Sequence, residues 1–183
     1  MSEHLPKNIN EHLTFNKENF KEIYVAGGCY WGTQAYMDRI KGVYKSSVGF
    51  ANGVVENPTY EEVCLGDTGH AETTYIVYDT TYTDLLTILE SYFETINPTT
   101  INRQGLDRGT QYRSGIYYTN ESDLAIIKGF IDDKQKDYAK EIVVEVLPLN
   151  CYYIAHEEHQ KYLEKNKNGY CHVNLDILRE KEQ

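Results

Sequence analysis

Residues 83–96 carry Leu85, Leu89, Tyr92, Phe93 and Ile96 on one helical stripe. A helix with one apolar face must bury that face against another element. A second such segment starts at a cap on Thr119 or Asn120 and runs to about Lys140, with Leu124, Ile127 and Ile131 inward. Short β-branched and aromatic runs surround the two helices, at residues 21–26, 43–51, 70–78, 114–118 and 142–147, and these read as strands. Shorter helices are expected at 31–41, with Trp31, Ala35 and Ile40 inward and Gly42 as the C-terminal cap, at 59–64 after Asn57-Pro58, and at 155–164. The alternation predicts one α+β domain over residues 21–183. It would be a sandwich with two long helices covering one face of a sheet whose strand order periodicity alone does not fix.

The remaining bounds are broad. A chain of 183 residues can bury a real core, and 40% hydrophobic with 25% charged residues is ordinary for a globular protein. Apolar runs are too short to cross a membrane as a helix. The net charge of −10 disfavours nucleic acid and anionic lipid as partners. Residues 1–20 read as a loosely held leader, with Leu5, Ile9, Leu13 and Phe15 as its apolar members. It lacks a signal-peptide pattern, so a cytoplasmic protein is expected, and a monomer is expected as well. There are four cysteines, Cys29, Cys64, Cys151 and Cys171, too few for a disulfide scaffold. Buried thiols, a metal site and redox chemistry all remain open.

Four segments carry chemistry. In Gly27-Gly28-Cys29-Tyr30-Trp31-Gly32 a cysteine stands at the start of a helix, where unpaired N–H groups and the helix dipole favour a thiolate. Tyr30 and Trp31 put aromatic faces beside the sulfur. A merely buried cysteine in a tight turn fits the same residues. In Thr68-Gly69-His70-Ala71-Glu72-Thr73-Thr74 a lone carboxylate falls in a strand. Facing inward, Glu72 would stay protonated near neutral pH and could donate a proton; facing outward, it would be an ordinary wet residue. Residues 102–114 are rich in hydrogen-bonding groups and read as a functional loop or a solvated one. In Asn168-Gly169-Tyr170-Cys171-His172 a tail cysteine is mobile enough to reach another thiol, or idle.

Together these segments resemble the methionine sulfoxide reductase A family. Its Gly-Cys-Phe-Trp-Gly motif is matched by residues 28–32, with Tyr30 for phenylalanine. Val48-Gly49-Phe50-Ala51, Tyr60-Glu61-Glu62-Val63-Cys64, residues 66–72 and Asn102-Arg103-Gln104-Gly105 with Gly109-Thr110-Gln111-Tyr112-Arg113-Ser114 follow in order. His159-Gln160, Tyr162-Leu163 and Gly169-Tyr170-Cys171 complete the set, so that the resemblance covers about residues 21–172.

The resemblance implies an α+β fold, a two-layer α/β sandwich with a ferredoxin-like core, a mixed sheet and long loops, and it implies reduction of methionine-S-sulfoxide, free or in proteins. It implies Cys29 as nucleophile, Glu72 as acid, Tyr60 and Tyr112 as hydrogen-bond donors to the sulfoxide oxygen, and Asp107 as an orienting group. Tyr30 and Trp31 would hold the substrate methyl group. Cys171 would resolve a Cys29 sulfenic acid as a Cys29–Cys171 disulfide, which thioredoxin reduces, with no bound cofactor.

Three departures from the pattern stand out: Tyr30, Ile96-Asn97-Pro98 in place of His-Asp-Pro, and His156 in place of an acidic residue. With no cysteine after Cys171, a relay of one disulfide is expected. Two rival readings are a metal-binding module using Cys151, His156, His159 and Cys171, and a cysteine hydrolase with His70 as base to Cys29. A third is a binding protein for oxidised peptides, which would tolerate loss of the Cys29 thiol.

Overall fold

A computed structural model describes residues 5–181. In chain order its elements are β1 (Phe20–Ala26), α1 (Tyr30–Met37), β2 (Val43–Ala51), α2 (Tyr60–Cys64), β3 (Ala71–Asp79), α3 (Leu85–Phe93), β4 (Arg103–Gln104) and β5 (Asp107–Arg108). Then come β6 (Gly115–Tyr118), α4 (Ser122–Gln135), β7 (Glu145–Pro148), β8 (Tyr152–Ile154), α5 (Tyr162–Lys165) and α6 (Asp176–Glu180). The main sheet has six strands in the order β7-β6-β1-β3-β2-β8, and β4 pairs β5 in a separate hairpin. Only β6 and β7 are parallel, joined by a crossover through α4; the other pairs are antiparallel. This is the expected α+β architecture with a mixed sheet.

The pleat sorts the strands into two faces. Ile23, Val25, Ile76, Tyr78, Ile116 and Tyr118 pack against Leu85, Ile88, Leu89, Tyr92 and Phe93 of α3 and Ile127 and Phe130 of α4. Tyr24, Ala26, Ala51, Ala71 and Tyr117 face the other way. The two helices meet through an edge-to-face pair, Phe93 and Phe130, at 4.8 Å between ring centres. The Asp84 side chain accepts the Thr87 N–H at 2.8 Å and starts α3.

Several elements differ from the sequence expectation. The first helix ends at Met37 rather than near Lys41. The Asn10 side chain takes over its end: Nδ2 donates to the carbonyls of Asp38 and Ile40, and Oδ1 accepts the Gly42 N–H. Gly42, at φ +97°, then turns the chain into β2. The leader is therefore not loosely held across its described residues. Asn10 is buried, the Asn16 N–H bonds Asp79 at 3.0 Å, and Phe15 packs on Phe20, Tyr44 and Tyr82. Residues 1–4 of that expectation lie outside the described residues.

The helix expected at 155–164 does not form. β8 pairs with β2, a 3₁₀ turn spans Glu157–His159, and Lys161 at φ +53° separates that turn from α5. The cause is Gln160, whose buried amide accepts the Val48 N–H and donates to the Val48 carbonyl. That pairing continues the sheet edge with a side chain. The tail is also packed, with Val173 and Leu178 in the main core.

Candidate active site

Gly28 adopts φ +73° and donates its N–H to the Tyr112 carbonyl at 3.1 Å. The turn so fixed brings the chain from β1 into α1 with Cys29 at the N-cap. The thiol is buried, 6% exposed. On β3, Glu72 is 1% exposed and faces α1, where its Oε1 accepts the Tyr30 N–H at 3.3 Å. Its Oε2 is out of solvent with no partner among the described residues.

Burial dominates the electrostatics. It pushes Glu72 up to about 8, the Tyr30 N–H pulling back and Asp107 adding to the rise. The carboxyl is a neutral acid at pH 7. Cys29 also lies well above the ordinary thiol range, first through burial and then through the Glu72 carboxyl, while the Trp31 N–H pulls the other way. The helix start alone predicts a thiolate; the site instead holds a thiol at rest, because desolvation outweighs the helix terminus.

Each remaining member is held by a local device. Thr59 and Glu62 form a reciprocal capping box at 3.2 and 2.8 Å that starts α2 and places Tyr60 in its first turn. The loop at 102–114 is wet along much of its length but anchored at both ends. Gln104, 3% exposed, bonds Asn97 through both its amide atoms and donates to Ser114. Arg113 ties the far end to Gly69, Thr110 and Glu145. Between these anchors sit Asp107 on β5 and Tyr112, whose pKa is raised by burial and then by Glu72 and Asp107. Tyr60 is shifted the same way by burial and the adjacent Cys64 sulfur.

Trp31 stacks on Tyr162 at 3.7 Å and 11°, and His159 stacks on Tyr60 at 4.3 Å. Tyr30 packs on Phe50 at 5.8 Å. A cavity of about 420 Å³ opens beside this wall, lined by Phe50, Tyr60, His159, Ile154 at the end of β8 and Ala155 after it. The arrangement sets a buried thiol, a neutral acid and two tyrosines beside apolar rings, which suits attack on a small polar group carried by an apolar chain. Cys171 lies at the same helix. A Cβ on Gly32 would stand 2.9 Å from its Sγ.

Cys29, Glu72, Tyr60, Tyr112, Asp107, Cys171, Tyr30 and Trp31 thus converge on one end of the sheet. Residues 21–183 match the family described as peptide methionine sulfoxide reductase. The chain belongs to that family. It is 55% identical over 156 residues to the peptide methionine sulfoxide reductase MsrA of Clostridium botulinum strain Okra, covering 85% of this chain and 99% of that one. Its fold is similar to the methionine sulfoxide reductase A of Corynebacterium diphtheriae, with TM-score 0.82, 36% identity, and 90% and 83% of the two chains covered. A Saccharomyces cerevisiae protein crystallised in reduced form gives TM-score 0.81 at 32% identity, covering 88% and 93%.

Within this methionine sulfoxide reductase fold the rival constellations are scattered. Cys151 donates its thiol to the Gly53 carbonyl, His159 stacks in the aromatic wall and Cys171 packs at Gly32. No cluster of three or more metal-ligating side chains occurs among the described residues. His70 cannot serve Cys29 as base: its Nδ1 accepts the Gly53 N–H at 3.0 Å and its Nε2 bonds the Val55 carbonyl at 2.7 Å. Sequence reasoning missed Tyr162 and His159 as parts of the wall, and His172 beside Gly28. Their only signal was position: all three lie in the short motifs after residue 155.

Proposed function

We propose that this chain reduces methionine-S-sulfoxide, free or in proteins, to methionine, and that the observation carrying the reading is Glu72: a buried, neutral carboxyl tied to the first turn of the helix that begins at Cys29. Sulfoxide reduction needs a proton on the leaving oxygen, and a carboxyl protonated at pH 7 supplies it. Tyr60 and Tyr112 donate hydrogen bonds to that oxygen, Asp107 orients the shell, and Trp31 and Tyr30 hold the methyl group.

Cys29 Sγ attacks the sulfoxide sulfur. The Glu72 proton goes to the oxygen, the oxygen passes to Sγ as sulfenic acid, methionine leaves, and the Cys29 thiol proton returns to Glu72. Cys171 Sγ then attacks Cys29 Sγ; the S–S bond forms, the S–O bond breaks and water departs. Thioredoxin reduces the disulfide by thiol exchange, as expected for an enzyme of the cytoplasm, and no bound cofactor takes part. The described residues include no helix long and apolar enough to cross a membrane.

Single-turnover incubation without reductant tests the reading. One methionine per enzyme from the S epimer, with a Cys29–Cys171 disulfide afterwards, is expected. Turnover of the R epimer alone, or an unchanged thiol count, overturns it.

A further inference from the structure

The segment carrying Cys171 is seated by contacts that alternate along the chain. A Cβ on Gly32 would meet Cys171 Sγ at 2.9 Å and Val173 at 3.1 Å, so these two residues lie on α1 one helical turn beyond Cys29. Val173 continues into the main core. Between them His172 points elsewhere. A Cβ on Gly28 would meet its Nε2 at 2.8 Å and its Cε1 at 2.9 Å, and a Cβ on Gly105 would meet its Cβ at 3.5 Å. The ring therefore fills a socket that exists because residue 28 has no side chain, while Gly105 lies in ordinary van der Waals contact with the His172 Cβ, and both glycines are in the left-handed region that favours glycine. Both ring nitrogens are out of solvent. Asp107 is the charged group facing the ring; burial lowers the imidazole pKa and Asp107 opposes that.

We propose that His172 is the positioning residue of the recycling step: seated between Gly28 and Gly105, its ring fixes the chain at residues 171–173 so that the Cys171 thiol stays over α1 within reach of Cys29. The inference rests on the sulfenic acid chemistry proposed above. In that step Cys171 loses its thiol proton, the new S–S bond replaces the S–O bond of Cys29, and hydroxide leaves with that proton as water, so no further oxidant or reductant is needed. Losing the ring removes no group from the sulfoxide pocket but frees the chain bearing Cys171, which lowers the effective concentration of the attacking thiol.

The test is a single turnover of wild type, His172→Ala and His172→Gln with methionine-S-sulfoxide. Methionine, free thiols and trapping of sulfenic acid by dimedone are followed in time. For His172→Ala the expected result is a methionine burst within about twofold of wild type, disulfide formation slowed at least about tenfold, and a dimedone adduct on Cys29. His172→Gln, which refills the socket with a planar polar group, is expected to recover most of the disulfide rate. Disulfide formation at the wild-type rate in His172→Ala overturns the proposal. So does equal slowing of both steps, which marks a general loss of fold. Absence of a methionine burst in wild type instead overturns the reduction chemistry itself, and so separates the two readings.

Discussion

Glu72 Oε1 accepts the backbone N–H of Tyr30 at 3.3 Å, so the acid of the central strand is fastened to the first turn of the helix that Cys29 begins. One hydrogen bond sets the distance between strand and helix and holds the carboxyl near the thiol. The bond favours the charged form, yet burial wins and the proton stays on.

Stability should depend on pH through this group. In the unfolded chain Glu72 ionises at its ordinary 4.5, and in the fold at about 8. Between those values unfolding releases a proton, so stability falls as pH rises through the window and levels off above about 8. The loss is about 5 kcal/mol at most. Thermal unfolding from pH 5 to 9 should show it, and Glu72→Gln should flatten the profile. The same variant should slow methionine formation by about 10²–10⁴ in single turnover. A full-rate Glu72→Gln protein would remove Glu72 from the chemistry.

Gly32 faces the Cys171 sulfur, and a methyl there would stand 2.9 Å from it. Gly32→Ala should leave methionine release within a few-fold of wild type while slowing disulfide formation at least about tenfold. Helix propensity favours alanine by about 1 kcal/mol, so a loss of helix cannot account for that split. Stopped-flow thiol counting after a single turnover reads the two steps separately.

Tyr30 is 1% exposed and its hydroxyl has no partner among the described residues. Burying an unsatisfied hydroxyl costs about 1–3 kcal/mol. Tyr30→Phe should therefore raise the melting temperature by about 2–4 °C per kcal/mol recovered, with kcat/KM for methionine sulfoxide changed by less than about fivefold. A lower melting temperature would show that the hydroxyl is bonded in solution.

What was legible in the sequence followed the periodicity. The stripe of Leu85, Leu89, Tyr92 and Phe93 marks α3 because burial on one face writes itself into spacing, whereas β3, buried on both faces, is marked by the β-branched and aromatic run of residues 70–78. Glu72 was visible as a charge in a strand, but its facing was not; the pairing of Phe50 with Glu72 across β2 and β3 settles it. Where side chains replace backbone partners, the pattern failed. Asn10 ends α1 from 28 residues away, and Gln160 extends the sheet edge from 112 residues away. A lone amide has no period, so neither role could be read locally. Cys29 is legible as a cysteine at a helix start, where the local reading is a thiolate, whereas burial keeps it a thiol at rest. A helix start is a local feature, whereas the burial that outweighs it is created by residues distant in sequence, Val48 and Phe50 of β2, Val63 of α2 and Ala155.

Asn10 offers the sharpest test of the segment before the first strand. Its side chain donates to Asp38 and Ile40 at 2.9 and 2.8 Å and accepts from Gly42 at 2.8 Å, all buried. Asn10→Ala would leave two carbonyls and one N–H of the α1–β2 turn without those partners, at about 1–3 kcal/mol for each group that water cannot reach. The cost should fall on the far end of α1, since Cys29 sits at its near end. A melting temperature lowered by about 5 °C or more is expected, with single-turnover methionine formation at 20 °C within twofold of wild type. Asn10→Asp would keep the acceptor for Gly42 but aim a buried carboxylate oxygen at the Asp38 and Ile40 carbonyls, and should lower the melting temperature at least as much as alanine at neutral pH. An unchanged melting temperature in Asn10→Ala would show that residues 5–19 add little to the fold, and that the turn from α1 into β2 holds without them.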